Sequence, residues 1–168
     1  MNRLEADEAN IAMALTLSAR STCFRRAVGC VLVDRYGIVI GTGYNGVPRG
    51  EPHCIGEFKC SGAYDASGTN LDGCNATHAE INAITMCKSP MEIDTCYTTT
   101  TPCMQCVKML MNTTCKQIIY LNKYPHLEAE NLWLTSYPPD NMGIRTWCQF
   151  GHTGFTLDLA NAVAKLRE

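Results

Sequence analysis

Thr95-Cys96-Tyr97-Thr98-Thr99-Thr100-Thr101-Pro102-Cys103-Met104-Gln105-Cys106 sets a β-prone run directly against a helix start. Thr95 to Thr100 is dominated by β-branched and aromatic side chains and reads as a strand. Thr101-Pro102 then supplies a capping residue and a proline at the first helical position. A strand that feeds straight into a helix is the repeating unit of an α/β fold, and the flanking sequence continues the alternation. Gln117 to Leu121 reads as the next strand, and Thr77 to Cys87 as a helix with Ile81, Ile84 and Cys87 on one stripe. Further upstream, Val28–Val33 and Ile38–Gly41 read as two strands joined by the turn Asp34-Arg35-Tyr36-Gly37, which makes them a hairpin. Ile11, Leu15 and Leu17, with Ala12, Ala14 and Ala19, predict a helix over about residues 3–19, and Phe155 to Leu166 predicts an amphipathic helix at the end. Residues 125–150 carry no decisive pattern. The sum is an α/β sandwich with a partly parallel sheet, in one domain spanning residues 1–168.

Composition bounds what such a domain does. Of the 168 residues, 46% are hydrophobic and 18% charged, enough for one core and too apolar for a disordered chain. A net charge of −2 argues against duplex nucleic acid or an anionic membrane as partner. It leaves room for one small anionic ligand held by a local pair of arginines. No run reaches the roughly 18 apolar residues of a membrane span. Met1-Asn2-Arg3-Leu4-Glu5-Ala6-Asp7-Glu8 places acids where a secretion signal is apolar, so the expected location is cytoplasmic. Eleven cysteines, an odd number, then predict metal ligation at some positions and small buried hydrophobes at others rather than a disulfide framework.

The stretch from Gly43 to about residue 76 is dense in glycine, proline, serine, asparagine and aspartate, with Cys54, Cys60 and Cys74 among them. A loop of about thirty residues inside a compact domain calls for a function or a metal that pins it.

The chemistry concentrates in His78-Ala79-Glu80 and Pro102-Cys103-Met104-Gln105-Cys106. Cys103 and Cys106 are three apart at a helix start, on one face and about a turn from each other. A helix N-terminus favours thiolates, and two thiolates with an imidazole form a good shell for zinc. Three protein ligands leave a fourth position for water, the mark of a catalytic site, and zinc brings that water's pKa to about 7. Glu80, two residues from His78, is placed to carry a proton from the water to the substrate. Each piece alone has a plainer reading. Thr77-x-x-Glu80 fits a capping box, and a lone Cys-x-x-Cys fits a redox pair or half of a structural zinc site.

With these residues in view, the sequence resembles the cytidine and deoxycytidylate deaminase superfamily, most closely its dCMP branch. The resemblance spans about residues 10–124. It rests on the zinc-deaminase pattern H-x-E…P-C-x-x-C, on Arg25-Arg26-Ala27-Val28-Gly29-Cys30, on Gly43-Tyr44-Asn45-Gly46-Val47-Pro48-Arg49-Gly50 and on Tyr120-Leu121-Asn122-Lys123-Tyr124. It implies a three-layer α-β-α sandwich around a five-stranded mixed sheet, and usually a hexamer. The implied reaction is hydrolysis of dCMP to dUMP and ammonia, with dCTP as a further candidate substrate. The implied metal ligands are His78, Cys103 and Cys106, with Glu80 as the catalytic acid–base.

The resemblance also implies regulation, with dCTP activating and dTTP inhibiting. The effector nucleotide and its Mg²⁺ are assigned to Gly43, Tyr44, Asn45, Gly46, Pro48 and Gly50, where glycines let backbone N–H groups approach phosphate. A plain turn is the competing reading of that loop. Arg25, Arg26, Asn45, Thr77, Ala79 and Tyr124 become candidate substrate contacts, with arginine suited to a 5′-phosphate and the asparagine amide to a sugar hydroxyl. Some bacterial and phage relatives carry a second, closed zinc site, which places Cys23, Cys54, Cys60 and Cys74 as its ligands and His53 as a substitute; scattered free thiols are the alternative. Cys30, Cys87 and Cys96 lie in apolar patterns and read as buried small hydrophobes. Two other functions stay open on the sequence: a deaminase of guanine, a riboflavin precursor or tRNA adenosine, and a non-catalytic zinc-binding module.

Overall fold

A computed structural model describes residues 3–66, 69–124, 127–136 and 143–167. The hairpin forms as read: β1 (Gly29–Asp34) and β2 (Val39–Tyr44) are antiparallel, and the Asp34 carboxylate accepts the backbone N–H of Tyr36 and of Ile38 across the turn. The alternation that follows also forms, as α2 (Ala79–Met86), β3 (Ile93–Thr100), α3 (Met104–Met111) and β4 (Gln117–Asn122). The helix predicted over residues 3–19 is α1 (Ala6–Ser18), and the C-terminal one is α5 (Gly154–Lys165). Its Thr153 and Thr156 form a reciprocal capping box.

The stretch without a sequence pattern supplies α4 (Leu127–Thr135) and β5 (Thr146–Gln149). Both are tied by side chains that no local periodicity announces. The Trp133 indole donates to the Thr146 carbonyl, and the Arg145 guanidinium stacks on the Trp133 ring while donating to Ser136. The strand order is β2-β1-β3-β4-β5, with β1 antiparallel to both neighbours and β3, β4 and β5 parallel. Alternate residues of the central strands build two cores. Leu32, Cys96 and Ile118 face α2, α3 and α4 through Ala83, Leu110 and Trp133. Val31, Tyr97 and Ile119 face α1 and α5 through Ile11, Leu15 and Leu159. The architecture is therefore a three-layer α-β-α sandwich on a five-stranded mixed sheet. Cys30 and Cys96 are fully buried in the first core and Cys87 nearly so, as expected of small hydrophobes, and Cys115 joins them. No helix among the described residues is long and apolar enough to cross a membrane.

Two local expectations are corrected. Thr101 and Pro102 do not cap α3: the helix starts at Met104, Cys103 is the cap residue, and the first helical bond runs from Val107 N–H to the Cys103 carbonyl. The Thr101 hydroxyl is engaged elsewhere, by the backbone of Tyr124. The long loop also begins later than read, because Gly43 and Tyr44 are the last residues of β2.

Candidate functional site

α2 and α3 both start at the end of the sheet where β3 finishes, and their first residues converge. His78 is the cap residue of α2 and Cys103 that of α3. His78 Nδ1 lies 3.3 Å from Cys103 Sγ and 3.4 Å from Cys106 Sγ, and the two sulfurs are 3.7 Å apart. Among the described residues these three form the one group of His, Cys, Asp or Glu side chains gathered closely enough to share an ion. The donor set fits zinc by size as well as by type. A tetrahedron with Zn–S near 2.3 Å and Zn–N near 2.0–2.1 Å has edges of about 3.8 Å between sulfurs and about 3.6 Å between sulfur and nitrogen. Cys106 is buried, Cys103 half-buried and His78 exposed, so the triad opens on one side.

The electrostatics suit a cation. Hydrogen bonding within the thiol pair, and then from His78, outweighs burial and lowers Cys103 to about 3. The same contact, and then burial, raise Cys106. The Cys103 contact raises His78 against the opposing effect of burial. Glu80, in the first turn of α2, is only 4% exposed, and burial raises its carboxyl above the ordinary range despite the pull of His78. The capping-box reading of Thr77 and Glu80 does not hold, because His78 takes the cap position. Thr77 instead clamps the loop, exchanging backbone hydrogen bonds of 3.1 and 2.9 Å with Gly46.

A cavity of about 170 Å³ opens over His78, Glu80 and Cys103. Arg25, Arg26, Asn45, Ala79 and Tyr124 of the expected substrate contacts line it, while Thr77 is not among its walls. The structure then sorts them. Arg25 donates to the carbonyls of Ala66 and Thr69, 2.6 and 3.2 Å away, and so fastens the long loop. Arg26 lies over the Tyr124 ring, 4.4 Å from its centroid. The Asn45 amide is buried and bridges backbone, donating to Arg26 O and accepting from Val28 N–H, both at 2.8 Å.

Of the loop assigned to an effector, only Asn45 reaches this cavity. Gly43 is glycine for a packing reason: a Cβ there would sit 2.3 Å from the Ala79 carbonyl and 2.5 Å from Ala83 N of α2. Gly46 is crowded by the Thr22 hydroxyl, Tyr44 O accepts from Asn82, and Pro48 to Gly50 is exposed, with Gly50 at φ +89°.

The second cysteine set is not gathered. Cys54 and Cys60 approach to 3.3 Å, because the intervening turn closes through the Cys60 N–H on Cys54 Sγ. No three of Cys23, Cys54, Cys60 and Cys74 come within the common reach of one ion, and His53 is exposed. Cys23 and Cys74 face the active cavity instead. Metal analysis of the purified protein is therefore expected to find close to one zinc per chain, lost in Cys106→Ser and retained in the Cys60→Ser, Cys74→Ser double variant. Two zinc ions in the wild type, with one lost in the double variant, would contradict this arrangement. Thr100 and Thr101 also line the cavity; sequence reading missed them as site residues because their role depends on strand register, not on a motif. His152 contacts Asn122 Oδ1 at 3.3 Å, and His126 lies outside the described residues.

Comparison with known proteins adds to this geometry. Residues 4–122 match the model of the cytidine and deoxycytidylate deaminase zinc-binding region. The chain is 37% identical over 146 residues to deoxycytidylate deaminase of Schizosaccharomyces pombe, with 77% of this chain and 43% of that protein aligned. It is 36% identical over 126 residues to deoxycytidylate deaminase of Mycobacterium phage D29, with 71% of this chain and 97% of that protein aligned. It thus spans less than half the length of the yeast relative and nearly all of the phage one. Among solved structures, dCMP deaminase of cyanophage S-TIM5 in complex with dCMP and dUMP superposes with a TM-score of 0.62 at 26% identity. That alignment takes in 90% of this chain and 100% of the other.

Proposed function

The chain belongs to the cytidine and deoxycytidylate deaminase family, and from that premise we propose that it hydrolyses dCMP to dUMP and ammonia. The observation that carries the reading is the convergence of His78, Cys103 and Cys106 beside a buried carboxylic acid at the floor of a cavity. The relatives named above supply the substrate class.

His78 Nδ1, Cys103 Sγ and Cys106 Sγ would hold a zinc ion, which would supply the Lewis acidity that lowers the pKa of water toward neutrality. The rest falls to the chain's own side chains. Glu80 takes a proton from the attacking water and delivers it to N3 of the pyrimidine as oxygen bonds to C4. It then carries the second water proton to the exocyclic nitrogen, so that the C4–N bond breaks with ammonia, not amide ion, departing. Burial suits Glu80 to this exchange, because a carboxyl whose pKa is raised toward neutrality gives and takes protons with little penalty. Arg26, held over the Tyr124 ring, is the wall residue suited to the 5′-phosphate. Asn45, tied to both Arg26 and Val28 backbone, holds that wall in place.

The finer reading rests on the resemblance of the Gly43–Gly50 loop. It is a homo-hexamer activated by dCTP and inhibited by dTTP, each with Mg²⁺, with dCTP as a further candidate substrate. Ammonia release from dCMP, dCTP, CMP and guanine, each with and without dCTP, dTTP and Mg²⁺, tests both levels. The expected result is turnover of dCMP well above CMP and guanine. Turnover of guanine with none of dCMP would move the assignment to another base.

A further inference from the structure

The last rung of the β3–β4 ladder pairs Thr100 with Asn122, and one more backbone bond follows, from Thr101 N–H to the Asn122 carbonyl at 3.0 Å. A parallel ladder carried onward would next use the Thr101 carbonyl to receive the Tyr124 N–H, and the Cys103 N–H to reach the Tyr124 carbonyl. The chain cannot supply this. Pro102 fixes φ near −65°, and Cys103 turns away to cap α3 and present its sulfur beside His78. Both backbone groups of Tyr124 would then lack a strand partner. They find one in a single side chain: Thr101 Oγ1 accepts from Tyr124 N–H at 2.9 Å and donates to the Tyr124 carbonyl at 3.0 Å. Thr101 is 6% exposed, so solvent does not readily replace those bonds.

We infer that Thr101 is a positioning residue for substrate binding, acting through Tyr124. Its hydroxyl continues the sheet for two residues beyond the point where the backbone departs to build the metal site. This sets the Tyr124 ring as a cavity wall and as the platform under the Arg26 guanidinium, 4.4 Å from the ring centroid. The one sequence must leave the sheet at Pro102 to deliver Cys103 and still hold Tyr124 in the sheet's line. The threonine hydroxyl reconciles the two demands. A ring displaced by about an ångström moves the guanidinium with it and weakens the grip on the phosphate, while the proton-transfer geometry at Glu80 stays as it was.

The inference rests on the proposed dCMP reading, and its test separates the two. Thr101→Val removes the hydroxyl at nearly constant shape, and Thr101→Ser keeps it. The expected result for Thr101→Val is a KM for dCMP raised about tenfold with kcat within about twofold, and KM for deoxycytidine, which lacks the phosphate, unchanged. Affinity for dUMP falls in parallel by calorimetry, and zinc content is that of the wild type. Thr101→Ser restores the wild-type KM. Tyr124→Leu gives the same selective loss as Thr101→Val, and the double variant is no worse than Tyr124→Leu, since both changes act through one ring. Should Thr101→Val not fold, the Ser and Leu variants still decide the matter. A Thr101→Ser with impaired KM, or a Tyr124→Leu that binds dCMP normally, overturns the inference. Equal losses on dCMP and deoxycytidine, or a fall in kcat at constant KM, overturn it as well. A wild-type protein that binds dUMP but does not turn over dCMP defeats the functional reading alone, and the dUMP affinities then judge Thr101. One that does neither defeats both.

Discussion

Glu80→Gln is expected to retain zinc and to slow deamination of dCMP by about two to four orders of magnitude, the usual range for loss of a positioned acid–base group. The amide matches the carboxylate in shape and leaves the three metal ligands untouched, so metal content separates a lost proton carrier from a collapsed site. The stability effect has the opposite sign. Glu80 is 4% exposed, and its burial disfavours the charged form. A neutral isostere relieves that penalty, so the variant's Tm is expected to equal or exceed that of the wild type. Normal turnover by the zinc-loaded variant would remove Glu80 from the mechanism.

Gly43→Ala is expected to cost about 3 kcal/mol, at the upper end of ordinary overpacking, and to lower Tm by roughly 6–12 °C. The new methyl would meet the Ala79 carbonyl and the Ala83 nitrogen, at 2.3 and 2.5 Å. Both are backbone atoms of α2, so no rotamer change relieves the contact. The helix must move, and it carries His78 at its cap and Glu80 in its first turn. Activity is therefore expected to fall together with stability, with no effector present. Gly50→Ala is the contrast: its φ of +89° strains a side chain, yet nothing lies within 4 Å of it, and a small loss of stability is expected. A Gly43→Ala protein that melts like the wild type and loses only its response to nucleotides would support the effector reading of that glycine and refute the packing one.

The elements that formed as read are those with a local signal, a hydrophobic stripe or an unbroken β-branched run. β1 is buried on both faces and reads as a continuous apolar run, and the turn that closes its hairpin is drawn in by Asp34. α4 and β5 were not legible because their anchors are Trp133, Arg145 and Ser136, single side chains whose partners lie across the fold. Thr101-Pro102 misled for a related reason. A threonine before a proline fits a helix cap by local rule, but a long-range partner, the Tyr124 backbone, takes the hydroxyl.

Residue types and their short spacings were enough for the chemistry: an imidazole, two thiols three residues apart and one acid two residues from the imidazole, each at a helix start. Ligand identity is a property of residue types, and short spacing on a helix is fixed by its pitch. Which groups meet was left to the fold. Parallel pairing of β3 with β4 and the packing of α2 beside α3 bring His78 to sulfurs 25 and 28 positions away. They part Cys54 and Cys60 from Cys23 and Cys74 and turn Arg25 to the loop while laying Arg26 on Tyr124. Such adjacency depends on strand order and register, which no window of local sequence contains.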